Sequence, residues 1–440
     1  MMDYAVSADP AVQRQLDRLA ALGPGADVLG LDRIARLLDR LGNPQDSLPP
    51  VFHVAGTNGK GSTCAFLRAA LEADGKRVHV FTSPHLVRFN ERIRLGGTLI
   101  ADAMLADLLA EVMDRGGEVG ASFFEVTTAA ALLAFSREPV DACVIEVGLG
   151  GRLDATNVIR SPAACGIAQL GIDHQAFLGN TLAEIAAEKA GIAREGRPLV
   201  TLSYRDDAAD AVERTALARG AALRMAERDW RFEHGEAGVR ITDARGSITV
   251  PRPLLAGAHQ STNLALAVAM LRAQDRVTVS DKALMAAGIA AHWPARMQRL
   301  GPGPLTDLLP APAELWLDGG HNEAAGEAVS AALRERAAGR PVDLVCGMLA
   351  NKDMAGLLAP FAGFARSLVA VPVPGHDHHA PDSMARVARE LGIRNCSGAF
   401  DPAEALSLLG RRDTRPSVVL ILGSLYLAGQ VLALNGENPA

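Results

Sequence analysis

Residues 53–63 read HVAGTNGKGST. The stretch follows the apolar run VFHVA (51–55) and precedes a helical pattern over 62–74, so it forms the loop of a strand–loop–helix unit. Glycines at 56, 59 and 61 let the backbone turn its amides toward an anion at the helix amino end; Lys60 adds a full charge, and Ser62 or Thr63 a hydroxyl. Gly61 stands between Lys60 and Ser62, so the spacing departs from the common phosphate-loop pattern. A bare glycine turn is the plain alternative, and the strand and helix on either side favour nucleotide phosphate.

Outward from this loop, short β-rich runs alternate with helical periodicity, which predicts an α/β domain built on a parallel sheet. Strands are expected over 51–55, 77–82, 141–147, 164–170 and 198–202, with helices over 62–74, 101–114, 125–136 and 181–194 capped near Ser62, Asp102 and Thr181. Residues 221–257 change character: WRFEH, GVRIT and GSITV alternate around turn-forming residues and predict a small antiparallel appendage. A helix over 259–273 follows. The proline- and glycine-rich stretch 301–313 then separates domain 1–300 from a shorter α/β domain, 301–440, with strands expected at 314–318, 342–347, 367–372 and 417–422.

Composition excludes several classes. With 49% hydrophobic and 21% charged residues over 440 positions, the chain can bury two cores and is neither disordered nor dependent on disulfides. A formal charge of −6 and the lack of a basic run argue against a nucleic-acid partner. The longest apolar stretches, 129–135 and 418–422, fall short of the roughly 20 residues a membrane span needs. Met1–Pro10 lacks the basic start and apolar segment of a secretory signal, so a cytoplasmic protein is expected. Five widely spaced cysteines without a CxxC pair suggest neither a disulfide framework nor a zinc site.

Ligands of an open parallel sheet collect at the carboxyl ends of its strands. Four such ends are polar: the glycine loop, Ser83 and His85 in TSPH, Glu146 in VIEVGLGG, and Asp173 with His174 in LGIDH. A hydroxyl, a carboxylate and an imidazole in one crevice suit a magnesium ion beside a phosphate, although each alone reads as a cap or solvated loop residue. Of the 44 basic residues only five are lysine, so Lys189, on the helix TLAEIAAEKAGI, reads either as a solvated helix lysine or as a site that needs a primary amine, and the scarcity of lysine favours the second. Such an amine can be carbamylated into a metal-binding anion.

Several blocks, in order, resemble the folylpolyglutamate synthase and dihydrofolate synthase family of Mur-type ATP-dependent amide ligases. They are HVAGTNGKGST, FTSPHLVRFNERI (81–93), FFEVTTAAALLAF (123–135), VIEVGLGGRLDATNVI (144–159), GIDHQAFLGNTLAEIAAEKAGI (171–192), HQSTNLALA (259–267), WPARMQ (293–298) and LDGGHN (317–322). The resemblance implies a mononucleotide-binding domain followed by a smaller Rossmann-like domain, with ATP between them. It implies that Gly59, Lys60, Gly61 and Ser62 hold the ATP phosphates, and that Ser83, Glu146 and His174 bind Mg2+. Lys189 looks like the family's carboxylated lysine, which with Lys60 and His174 would make up the catalytic set. Asn263, Arg296 and Asp318 match nucleotide-contacting positions. Ser122, Phe123, Phe124 and Glu125, with Leu153, Asp154 and Ala155, match segments lining the pterin side, although the two phenylalanines read equally well as core.

The implied reaction is ATP-dependent ligation of L-glutamate to dihydropteroate, and to tetrahydrofolate, through an acyl phosphate. A monomer acting on small molecules is expected. The residues that hold the incoming glutamate are not identified, since VPGHDHHAPDSM (373–384) lacks an arginine common there; His376, His378 and His379 in it read as a loop rather than a metal site. The alternatives are a Mur-type cell-wall ligase, against which the GTNGKGS, SPHLVRFNERI and GLGGRLDATN blocks speak, and a nucleotide-hydrolysing regulatory protein.

Overall fold

A computed structural model describes residues 5–21, 29–412 and 417–439. The chain divides into two units: the first runs to Leu254 and resumes over Gln260–His292, and the second comprises Leu255–His259 and Trp293–Pro439.

The described residues of the first unit contain an eight-stranded sheet made of β1 (Val51–Ala55), β2 (Val78–Phe81), β3 (Ile93–Leu95), β4 (Thr98–Leu99), β5 (Ala142–Glu146), β6 (Ala164–Ile167), β7 (Pro198–Thr201) and β8 (Ala222–Met225). The order is β4-β3-β2-β5-β1-β6-β7-β8. Strand β1 is central and buried on both faces, and it pairs in parallel with β5 on one side and β6 on the other. Chain direction across the sheet reverses at β1, so the crevice beyond its carboxyl end lies between loops leaving β1, β5 and β6. Strands β3 and β4 add an antiparallel edge.

The expected strands at 51–55, 77–82, 141–147, 164–170 and 198–202 all pair in this sheet. Ala222–Met225 differs from expectation, because it pairs in parallel with β7 as an eighth strand instead of opening the appendage. The antiparallel sheet consists of β9 (Arg231–Gly235), β10 (Gly238–Asp243) and β11 (Gly246–Val250), each hairpin turning through two residues.

Two of the expected helix caps also differ. Thr181 does cap the helix Leu182–Ala190, accepting from Glu184 N in a reciprocal capping box. Asp102, by contrast, is already the first residue of its helix, and Ser62 lies inside the helix Lys60–Ala73, whose amino-terminal flank is Gly59. That glycine is left-handed at φ 84° and offers no side chain, so the first amides of the helix receive no side-chain cap from the residue that precedes them.

The described residues of the second unit hold a six-stranded sheet: β12 (Gln298–Arg299), β13 (Glu314–Leu317), β14 (Val342–Cys346), β15 (Ala365–Ala370), β16 (Asn395–Gly398) and β17 (Val418–Leu422), in the order β12-β13-β17-β14-β15-β16. All pairs are parallel except β12 with β13. Because β12 pairs inside this sheet, the chain enters the second unit at Trp293, before the break expected at 300/301. The stretch 301–313 is an internal loop of the unit, clasped by Asn435: its Oδ1 accepts from Leu305 N at 3.1 Å and its Nδ2 donates to Gly301 O at 3.1 Å.

The first core depends on β1. Phe52, the second residue of the strand, is fully buried. Phe52→Ala is expected to destabilise the unit by about 3–5 kcal/mol, read as a lowered urea midpoint by circular dichroism; a loss below about 1 kcal/mol would contradict this placement.

Candidate active site

Beyond β1 the chain makes two turns that only glycine suits. A Cβ at Gly56, where φ is 150°, would lie 2.9 Å from Ala168 Cβ, and one at Gly59 would lie 2.3 Å from Asn263 Oδ1. The loop is tied to the exit of β6, since Thr57 N and Asn58 N both donate to Gln169 O, at 2.8 and 3.1 Å. Gly59 and Asn263, 204 positions apart in the numbering, are therefore neighbours, and Asn263 is held by its Nδ2 donating to Gln260 Oε1 at 3.2 Å. Ser62 and Thr63 are buried at the start of the helix, and the Thr63 hydroxyl has no hydrogen-bond partner.

Two lysines meet on one carbonyl of this loop. Lys60 Nζ donates to Gly56 O at 3.2 Å and to Thr57 O at 3.4 Å, and Lys189 Nζ donates to the same Gly56 O at 3.0 Å. Lys189 is only 4% exposed. Burial, with the neighbouring Lys60 charge second, pushes its amine down to about 7, while Asp173 and Asp154 pull the other way. The neutral form of this amine is therefore favoured relative to that of a solvated lysine.

Of the expected metal ligands, Ser83 and Glu146 lie at the exits of the adjacent strands β2 and β5, and His174 lies beyond β6, on the other side of β1. Glu146, 5% exposed, ends β5 beside Val54 of β1, and its Oε2 accepts Ser83 N at 3.3 Å from the loop after β2. His174 is left-handed at φ 52° and donates its backbone N–H to Asp173 Oδ1 at 2.8 Å. Among the described residues no three His, Cys, Asp or Glu side chains form a metal cluster by themselves. A hydroxyl, a carboxylate and an imidazole would together make a mixed oxygen and nitrogen donor set, of the kind that suits a cation keeping water and phosphate oxygens in its shell; of the expected ligands, Ser83 touches Glu146 through its backbone N–H.

On the other side of β5, Ser122 and Glu125 form a capping box at the start of the helix Phe123–Arg137: Ser122 N donates to Glu125 Oε2 at 2.7 Å and Glu125 N to Ser122 Oγ at 3.3 Å. Arg33 Nε also donates to Glu125 Oε2, at 3.0 Å, while Glu125 Oε1 is buried and accepts nothing. Phe123 and Phe124 are half-buried at the margin of the core. Phe123 packs edge-on to Phe89, Phe124 lies against Gly148, and the buried Arg92 guanidinium sits 5.8 Å from the Phe123 ring centroid.

Asp154 is 2% exposed, between half-buried Leu153 and buried Ala155. Its Oδ1 accepts Thr156 N at 3.0 Å and Thr156 Oγ1 at 2.5 Å, and its Oδ2 accepts Leu149 N at 2.8 Å. Since the Thr156 hydroxyl gives its proton to Asp154, it accepts from His53 Nε2 at 2.8 Å. That bond assigns the His53 proton to Nε2. Burial and then the Arg194 charge push the imidazole down to about 3, so His53 stays neutral. Burial raises the Asp154 carboxyl, against the pull of its hydrogen bonds.

In the second unit, Asp318 follows β13. It is 2% exposed and accepts Met297 N at 2.8 Å and Gly320 N at 2.7 Å. Arg296 is half-buried next to this pair, and its charge is felt by His259. In the loop after β15, His379 Nε2 contacts Lys352 O at 2.8 Å, His378 Nδ1 contacts His376 O at 2.7 Å, and His376 stacks on Tyr426 at 3.8 Å.

The structure thus joins Gly59 with Asn263, Lys60 with Lys189 and Ser83 with Glu146, and Met297 N ties the turn that carries Arg296 to Asp318. Sequence reading missed Arg33 and the His53–Thr156 link. His53 was visible as a polar residue inside an apolar strand, whereas nothing local marks Arg33.

Residues 296–425 match the family model for the Mur ligase, glutamate ligase domain. The dihydrofolate synthase/folylpolyglutamate synthase of Bacillus subtilis is 32% identical, over 91% of this chain and 94% of its own. The crystallised Escherichia coli FolC in complex with DHPP and ADP superposes with a TM-score of 0.87 at 29% identity, covering 97% of this chain and 98% of that one. A bifunctional folylpolyglutamate synthase/dihydrofolate synthase with Mn, AMPPNP and L-glutamate bound gives 0.82 at 30% identity, covering 96% and 97%. This chain belongs to the folylpolyglutamate synthase/dihydrofolate synthase family.

Proposed function

We propose that this chain ligates L-glutamate to dihydropteroate, and extends tetrahydrofolate in the same way, at the expense of ATP and as a cytoplasmic monomer. The observation that carries the reading is the pair of lysines on Gly56 O, in a loop whose helix receives no side-chain cap from Gly59, beside the Ser83–Glu146 contact. Among the described residues no helix is long and apolar enough to cross a membrane. The cysteines are unpaired and mostly buried, which agrees with a reducing compartment. Neither a cell-wall ligase nor a regulatory hydrolase is favoured by the relatives.

A carboxylate is a poor electrophile. In the proposed reaction an oxygen of the substrate carboxylate attacks the γ-phosphorus of ATP, and the bond to ADP breaks. The glutamate amine then attacks the acyl carbon of the resulting acyl phosphate and loses a proton, and inorganic phosphate departs. Gly59, Gly61 and Ser62 offer amides, and Lys60 a charge, to the phosphates. Asn263, Arg296 and Asp318 contact the nucleotide. Ser83, Glu146 and His174 would hold Mg2+, which neutralises phosphate charge when bound. Ser122 to Glu125 and Leu153 to Ala155 line the pterin side, with Phe123 and Phe124 offering ring faces. Incubating pure protein with ATP, Mg2+ and glutamate, and separately with dihydropteroate, tetrahydrofolate or a cell-wall precursor, tests this by product mass. A product from the cell-wall precursor alone would refute it.

Lys60→Ala is expected to fold and to lose about a hundredfold in rate, on the order of 3 kcal/mol of transition-state stabilisation. Near-normal turnover by the folded variant would remove Lys60 from the phosphate site.

The Lys189 amine is proposed to be carbamylated: its nitrogen lone pair adds to CO2, forming an N–C bond and releasing one proton. Because this amine is pushed down to about 7, its reactive neutral fraction grows as pH rises through that value. Bicarbonate stimulation of CO2-stripped enzyme is expected to be faster at pH 8 than at pH 6. Lys189→Ala should be inactive and partly rescued by a short carboxylate. An intact-mass spectrum or map showing a bare amine in active enzyme would exclude the modification.

A further inference from the structure

The segment WPARMQ presents Arg296 between two strained residues. Ala295 (φ 54°) and Met297 (φ 43°) both occupy the left-handed region without being glycine. Such a turn persists only where its surroundings hold it, and each holding bond is identifiable. Ala295 N donates to Gln298 Oε1 at 2.9 Å, Ala295 O accepts Gly319 N at 2.9 Å, and Met297 N donates to Asp318 Oδ2 at 2.8 Å. Gln298 is itself anchored, its Nε2 donating to Glu437 Oε2 at 2.8 Å across 139 positions of sequence. The other Glu437 oxygen accepts Gly301 N and Asn435 Nδ2, both at 2.8 Å. The Arg296 guanidinium makes no hydrogen bond or ion pair with the described residues, which leaves its donors for a ligand.

Resting on the reading of Arg296 as a nucleotide contact, we propose that Gln298 and Glu437 are positioning residues for ATP. The Glu437 carboxylate orients the Gln298 amide so that its oxygen faces Ala295 N, and this holds the turn that aims Arg296. Gln298 can serve both neighbours only in that orientation, because its oxygen must accept from Ala295 while its nitrogen gives to Glu437.

The bond can be reversed without changing shape. In Gln298→Glu the acceptor for Ala295 N survives, but two carboxylates then face each other. In Glu437→Gln one of the three donors around residue 437 loses its acceptor. Combining Q298E with E437Q restores every bond, with the direction of the 298–437 bond alone swapped, since the new amide at 437 donates to the new carboxylate at 298 while Ala295 N, Gly301 N and Asn435 Nδ2 still donate as before. Each single variant is expected to raise the KM for ATP about tenfold, with kcat and the KM for glutamate changed less than about twofold. The double variant should return within about twofold of the parent. Titration with a non-hydrolysable ATP analogue should give the same pattern in Kd, on samples matched for thermal midpoint.

Arg296→Ala separates the two levels of the argument. If it leaves the KM for ATP unchanged, the nucleotide role of Arg296 falls and the positioning role with it. If Arg296→Ala raises that KM but Q298E and E437Q do not, or if the double variant fails to recover, the nucleotide contact stands and the positioning role is wrong. Should Q298E not fold, E437Q against the double variant reads the same coupling.

Discussion

The carbonyl oxygen of Gly56 is the point on which the glycine loop after β1 depends. It accepts Lys60 from its own loop and Lys189 from a helix 133 positions away. Two ammonium groups can share that oxygen only because the backbone at Gly56 adopts φ 150° flush against Ala168, where any side chain would collide. The arrangement puts like charges side by side in a buried place. Desolvation makes a charge on Lys189 costly and the Lys60 field adds to the cost, and together they lower the Lys189 amine.

The acids around the crevice follow a common rule. Glu125, Glu146 and Asp154 are all buried, and each accepts a backbone amide from a loop at the carboxyl edge of the sheet. A buried carboxylate must be compensated, and here backbone amides of the flanking loops do so. Removing one would unsettle the loop as well as the charge. The same holds for His53, kept neutral by burial and linked to Asp154 through the Thr156 hydroxyl.

The second unit shows how a segment rich in glycine and proline can be held firmly. Asn435 uses both ends of its amide on 301–306, and Glu437 ties Gly301 and Gln298 together, so the stretch that looked like a linker is structured from outside by the last helix and the turn after it. Asp318 does similar work, joining Met297 to Gly320 across the mouth of β13.

Sequence alone determined what is encoded locally. The strand–glycine loop–helix of 51–74, the parallel alternation, the hairpins of 231–250 and the four buried strands of the second sheet all follow from side-chain period and turn chemistry, which act between near neighbours. The polar strand ends were legible for the same reason. Strand β16 was not: Asn395-Cys396-Ser397-Gly398 has no apolar period and is a strand only because β15 offers it an edge. Nor was β8, whose membership in the main sheet is decided by β7. Ser122 and Glu125 matched a pocket segment in sequence, yet their capping role and the Arg33 contact appear only once the helix start is in place. The lowered Lys189 amine, the neutral His53 and the strained setting of Arg296 depend on groups distant in sequence. Desolvation, like charge and hydrogen-bond direction act through space, so only the folded arrangement of strands could set them.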